Sequence, residues 1–273
     1  EGIGHSQYSD RFDARALDDF DAFTAQLKAH GVYYGFSHSY HFKIRPGDRT
    51  NLLAYNEILN SRQNDTLGLI NVAPDVQNVM IKSVIALLRH TNAYTGVPYA
   101  ADPALAFIEM QNEDDVFFFS TTEHAVNACP TYREDLLRRY SGWLQEKYGT
   151  QAALESAWGP LAFNRYSRRG EQLERANIDV VLNGWFMGPK GLQQGRETGT
   201  YRRLLDNAQF LHSLQTTYYG GFETALRAVG YVGPLIGSCW QGSGGITHFY
   251  NLHADYAVGL IDRHNYFGGM GGY

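Results

Sequence analysis

Along residues 15–29 the apolar positions Leu17, Phe20, Phe23 and Leu27 recur at intervals of three and four. That spacing puts side chains on one face of an α-helix. Gly31 ends the predicted helix, and Val32-Tyr33-Tyr34-Gly35-Phe36 follows as a short apolar strand. A polar, irregular stretch runs from about His41 to Asn71. Pro74, suited to a first helical position, opens a second helix that turns Val76, Val79, Met80, Val84 and Leu87 inward. Asp102-Pro103 then breaks the chain ahead of a strand, Ala104-Leu105-Ala106-Phe107-Ile108.

The alternation continues downstream. Thr131-x-x-Glu134 has the form of a capping box and predicts a helix to about Lys147. Residues 160–199, rich in Gly and Arg, read as an insertion. A long helical region over 200–229 leads to a strand at 232–240, and a short helical stretch near 247–256 leads to Val258-Gly259-Leu260-Ile261-Asp262. Helices alternating with continuous apolar strands predict a parallel sheet covered by helices. No fixed-length repeat is present, which excludes a solenoid. Neither G-x-G-x-x-G nor G-x-x-x-x-G-K-[ST] occurs, so the phosphate loop that would favour an open doubly wound sheet is missing.

Polar residues gather instead just past the ends of several strands: His38, Asn112-Glu113, Gln241, and then Asp262, His264 and Tyr266. A site built from many strand ends on one face is the arrangement of a (β/α)8 TIM barrel. The expected fold is therefore α/β, an incomplete barrel of about four parallel strands. It forms one partial catalytic domain over residues 1–273, interrupted at about 160–199. His38, Glu113 and His264 are expected to face one cleft.

Composition narrows the function classes. Of the 273 residues 44% are hydrophobic and 19% charged, an ordinary globular balance. A formal net charge of −5 gives no electrostatic footing for a nucleic acid. No run of 18 apolar residues predicts a membrane span. Cys129 and Cys239 make no disulfide framework, and Cys239 falls in an apolar run that reads as a buried strand. The prominent class is aromatic, with 19 Tyr, 15 Phe and 4 Trp. Such rings stack on the C–H faces of sugars, and they also fill cores.

Chemistry concentrates after the strand that ends Gln111-Asn112-Glu113. Between Glu109 and Asp115 lie four carboxylates, Glu109, Glu113, Asp114 and Asp115. Either they are solvated at a loop mouth, or one is held protonated to donate to a leaving oxygen. Attack on a sugar then needs a second carboxylate about 5 Å away.

In these residues the chain resembles the clan A superfamily of glycoside hydrolases, which end their fourth barrel strand in Asn-Glu. The resemblance implies that Glu113 is the catalytic acid/base and that Asn112 bonds the sugar's 2-hydroxyl. It extends to His38, placed as the substrate-binding His that several of these enzymes carry on the third strand. It extends also to His264-x-Tyr266, placed as their His-x-Tyr after the sixth. The stretch from Trp143 to Thr150, with Ala157-Trp158-Gly159, looks like the helix after the fourth strand in β-galactosidases of the clan. Nearly the whole chain is covered apart from 160–199. The implied activity is retaining cleavage of a β-glycosidic bond in an oligo- or polysaccharide, with carbohydrate as partner and no cofactor. The implied location, which the residues themselves leave open, is secreted or periplasmic.

On that pattern 32–36 is strand three, 232–240 strand five and the last strand six. Strands one, two, seven and eight are then expected from adjoining chain, together with the nucleophilic Glu of strand seven. Two other readings stay open: a non-catalytic carbohydrate-binding barrel, and a metal-dependent hydrolase using His38, His41, Asp262 and His264. Trp240 either stacks on a sugar or packs in the core. Arg165, Arg168 and Arg169 read as a solvated surface, with an anionic substrate as the alternative.

Overall fold

The computed structural model describes residues 2–37, 41–166, 170–242 and 244–265. The first helix, α1 (Ala14–Ala29), is capped by the Asp13 side chain, which accepts from Ala16 N at 2.9 Å. Its buried face differs from the predicted stripe. Phe23 is 61% exposed, whereas Asp21 and Thr24 are buried. A polar network selects that face: Tyr99 donates to Asp21 at 2.7 Å, His90 Nε2 bonds the same carboxylate at 2.7 Å, and Asn92 donates to Thr24 at 3.0 Å. Buried polar groups that find partners can displace an apolar residue from the interface.

Strand β1 (Tyr34–Ser37) begins two residues later than predicted, with Val32 and Tyr33 left exposed. The stretch predicted to be irregular contains α2 (Tyr55–Arg62), which buries Tyr55 and Ile58 and ends at a left-handed Gln63 in place of a glycine. Helix α3 (Pro74–Arg89) starts at Pro74 and buries all five predicted positions. After β2 (Leu105–Glu109) come α4 (Thr121–Asn127), α5 (Pro130–Tyr148) and α6 (Gln151–Trp158). The capping box at Thr131 does not form. Thr131 N and Oγ1 both donate to Glu57 of α2, at 3.0 and 2.5 Å, so a neighbouring helix takes the role assigned to Glu134.

The segment 160–199 is woven into the core. Ile178, Val180, Val181, Leu182 and Met187 are buried. Helix α7 (Pro189–Thr198) leads into α8 (Tyr201–Ala228), from which Arg203 reaches back to Glu171 at 2.6 and 2.8 Å. Both members of that pair are wholly buried, and Arg203 also donates to the carbonyls of Ala162 and Asp179. Strand β3 (Leu235–Ile236) and α9 (Gly245–Val258) complete the elements.

The protein is thus a mixed α/β molecule, mostly helical, with a small sheet. Among the described residues the sheet has three strands in the order β1-β2-β3, all parallel. Tyr34 pairs with Leu105 and Ser37 with Glu109, while Ile108 pairs with Leu235. The predicted fourth strand reduces to one parallel bridge, Ile236 to Leu260. The reason is local: α9 runs on to Val258, whose side chain is buried, and Gly259 at φ 142° reverses the chain only one residue before the bridge. The four segments keep the sequential order expected of a barrel, but closure is not formed by the described residues.

Candidate active site

Backbone pairing continues beyond the short strands and aligns their ends. Met110 N donates to Ile236 O at 2.9 Å, Gln111 N to Gly237 O at 3.1 Å, and Glu113 N to Ser238 O at 2.8 Å. His264 N joins the same row by donating to Cys239 O at 3.3 Å. Glu113 and Cys239 lie in the left-handed region, at φ 55° and 54°. That conformation turns both residues out of the ladder and is uncommon for any residue with a Cβ.

The result is a contact between residues 151 positions apart. Glu113 Oε1 and His264 Nδ1 lie 2.6 Å from each other, with both side chains partly open to solvent. Which atom carries the proton depends on the tautomer. Glu113 Oε2 has no protein partner among the described residues, and neither has the half-buried amide of Asn112. His264 Nε2 points toward Asp262, 3.8 Å away.

Other expected residues stand as follows. His38 and Tyr266, with Arg168 and Arg169, lie outside the described residues. Trp240 is half-buried and packs edge-on against Phe118 and Phe119, with ring centroids 4.6 and 5.4 Å away. Its indole N–H is buried without a hydrogen-bond partner among the described residues. His41 pairs with Asp65 at 2.5 Å. Of the predicted metal set, Asp262 and His264 approach each other among the described residues.

A different set of donors surrounds His264. Ligand atoms of Glu109, Cys239, Asp262 and His264 all lie within 4.8 Å of one another. The mixture of thiol, imidazole and carboxylate suits zinc by type. Two of these groups already have partners outside the set: Ser37 donates to Glu109 at 2.7 Å, and His264 Nδ1 lies 2.6 Å from Glu113 Oε1. Burial pushes the Cys239 thiol up, and the charge of Glu109 adds to the effect. Sequence patterning named Glu109 only as one of four clustered carboxylates and did not single out Ser37. The signal available was register, since Ser37 and Glu109 are the last paired residues of β1 and β2.

Nor are the carboxylates beyond Glu113 solvated at a loop mouth. Asp114 and Asp115 are buried, and each roots the loop in different elements. Asp114 accepts from Gly68 N at 2.9 Å and Asn71 Nδ2 at 3.0 Å. Burial pushes its carboxyl up to about 7, although both donors pull it down. Asp115 accepts from Gln215 of α8 at 2.5 Å, Asn251 of α9 at 2.9 Å and Phe117 N at 2.7 Å. Burial raises it to about 6. Gln111 extends the network, donating to Asn71 at 2.7 Å and accepting from Tyr219 at 3.0 Å. Beneath Cys239, Asp255 accepts from Ser238 N at 2.9 Å and from Arg263 at 2.6 Å. Gly237 makes room for it, because a Cβ there would sit 2.1 Å from Asp255 Oδ1. A connected buried network of this kind holds the three strand ends in one arrangement.

None of the family models matches this chain, and no curated protein does. Solved structures similar to part of it include PfGH50B, with TM-score 0.44 and 11% identity over 71% of this chain and 24% of that one. An exo-beta-agarase has TM-score 0.44 and 15% identity over 69% of this chain and 22% of its own. An endo-beta-1,4-mannanase from Thermotoga petrophila has TM-score 0.32 and 15% identity over 84% and 48%. The chain therefore spans under a quarter of the length of the first two and just under half of the third.

Proposed function

We propose that this chain carries part of the active site of a retaining β-glycoside hydrolase acting on an oligo- or polysaccharide, with Glu113 as acid/base. The observation that supports it is the meeting of Glu113, past the end of β2, and His264, past the Leu260 bridge, at 2.6 Å, with no partner on Glu113 Oε2 among the described residues. In the first step the protonated Glu113 gives its proton to the glycosidic oxygen while a second carboxylate attacks the anomeric carbon. The leaving sugar departs with that proton. In the second step the Glu113 carboxylate takes a proton from water, whose oxygen displaces the enzyme carboxylate. His264 positions the carboxyl of Glu113 throughout. The amide of Asn112, without a partner among the described residues, is assigned to a hydroxyl of the sugar. The scaffold in this reading is a (β/α)8 barrel of which the chain supplies strands three to six. The nucleophile lies outside those strands, on adjoining chain.

The test is Glu113→Gln in the full-length enzyme. Turnover of glycans with poor leaving groups should fall by about 10²–10⁴, the usual worth of general acid help. Aryl glycosides with activated leaving groups should lose less in the first step. Equal turnover by both proteins on a natural glycan would remove Glu113 from the mechanism. The donor cluster of Glu109, Cys239, Asp262 and His264 favours a second reading, metal-dependent hydrolysis. Loss of activity on dialysis against a chelator, restored by zinc, would select that reading instead.

A further inference from the structure

Within the segment 160–199, Trp185 sits in a setting unusual for an exposed side chain. It is 58% exposed, yet hydrogen bonds and a buried neighbour anchor the turn that carries it. Asn183 opens the 3-10 turn Gly184–Met187 by accepting from Trp185 N at 3.1 Å, and its amide donates to Glu123 at 3.2 Å. Gly184 N donates to Phe119 O at 3.0 Å. The approach is so close that a Cβ on Gly184 would lie 2.3 Å from Phe117 O, which only glycine permits. Two residues beyond Trp185, Met187 is wholly buried and meets the Asn207 amide.

The partner of Trp185 is held just as firmly. Phe119 has φ 45° and is 36% exposed, and its ring lies 5.4 Å from that of Trp185 at an interplanar angle of 31°. Backbone strain in a residue of this kind persists only where surrounding structure imposes it, and such positions gather at ligand-binding sites. Phe119 belongs to the loop rooted by Asp114 and Asp115, six residues after Glu113. It also meets Trp240 at an interplanar angle of 70°, and Trp240 follows the residue whose carbonyl receives His264 N. Trp240, Phe119 and Trp185 thus form a contiguous row of rings, and Trp240 lies two residues after Ser238, whose carbonyl accepts from Glu113 N. Two rings tilted by 31°, both partly open to water, sit on backbone tied down by hydrogen bonds, so little backbone freedom is lost on binding.

We propose that Trp185 and Phe119 form an aromatic platform that stacks on one sugar ring of the substrate chain, remote from the bond being cleaved. The proposal rests on the glycosidase reading of the site. It assigns to the segment 160–199 the recognition of chain length. A pyranose suits the surface because its C–H face is apolar while its rim of hydroxyls stays hydrated. A protein partner is the competing occupant.

The experiment uses full-length wild type, Trp185→Ala and Trp185→Phe. Substrates are aryl β-glycosides and β-linked oligosaccharides of glucose, mannose and galactose, two to six units long. The loss caused by Trp185→Ala should grow with chain length, reaching roughly three- to tenfold on the longest substrate, the scale of one aromatic stacking contact. It should appear in KM, and Phe should restore most of it. Calorimetric binding of the same oligosaccharides to Glu113→Gln, with and without Trp185→Ala, should show the same drop in affinity. Circular dichroism checks that each variant is folded. Length-independent kinetics together with unchanged affinity would overturn the platform while leaving the glycosidase reading in place. A drop in affinity without cleavage by the wild type would keep the platform and overturn the glycosidase. A change in sedimentation on Trp185→Ala with no change in sugar binding would overturn it in favour of a protein contact.

Discussion

Asp114→Asn isolates the cost of holding a carboxyl beneath the site. In the folded protein Asp114 is wholly buried and its carboxyl is pushed up to about 7, from 3.8 in the free side chain. An acid raised in this way contributes its full share of stability only below about 3.8, where folded and unfolded chains both hold the proton. Above that value the unfolded chain ionises freely while the folded chain resists. Stability is therefore lost progressively as pH rises, and the loss is complete above about 7. The gap between the two values corresponds to about 4 kcal/mol, at about 1.4 kcal/mol per pKa unit. Asn keeps the shape and one acceptor for Gly68 N or Asn71, but does not titrate. Urea unfolding of both proteins, followed by tryptophan fluorescence from pH 4 to 8, gives the difference directly. Asp115 is present in both, so most of its own slope cancels. The variant should gain on the wild type by about 3–4 kcal/mol between pH 4 and pH 8, at an unchanged m-value. Parallel stability profiles would show that Asp114 ionises normally in the fold, and would refute the burial argument.

Arg203→Met should leave Glu171 buried without its counter-ion and cost about 3–5 kcal/mol in urea unfolding, whereas replacing both residues by apolar ones should recover most of that loss. A single variant as stable as wild type would show that Glu171 sheds its charge or reaches water. Cys129 and Cys239, both buried with thiols pushed up, should resist iodoacetamide in the native protein and react fully in urea. Rapid native alkylation of Cys239, read by mass spectrometry, would place it at an open surface.

What could be read from the chain follows the reach of each signal. Helix α3 was legible because its five inward positions are all apolar and Pro74 marks its start. α1 was legible as a helix but not by face, since the buried Asp21 and Thr24 owe their place to Tyr99, His90 and Asn92 about 70 residues away. The order and direction of the strands were readable from alternation. Their lengths were not, because apolar runs near 235 and 258 serve as ladder, turn and helix end alike. In the site, Glu113 and His264 stood out because each follows an apolar run, and the structure brings them together. Glu109 and the Asp114–Asp115 anchors depend on register and on partners from distant helices, which local periodicity does not encode. The part played by Trp185 was hidden for a related reason. The Gly and Arg content of 160–199 reads as loop, and only the close fit of Gly184 against Phe117 shows that this loop is clamped.

The left-handed backbone of Glu113 sets evolution of the protein at odds with itself. At φ 55° a residue with a Cβ costs roughly 1–2 kcal/mol, a strain that Gly would relieve and Asn would lessen. Laboratory selection for heat tolerance alone would accordingly enrich changes at position 113 and discard the carboxyl with them. A thermostability campaign on this protein has to be screened by turnover in every round, because one of its strained positions is the residue proposed as acid/base.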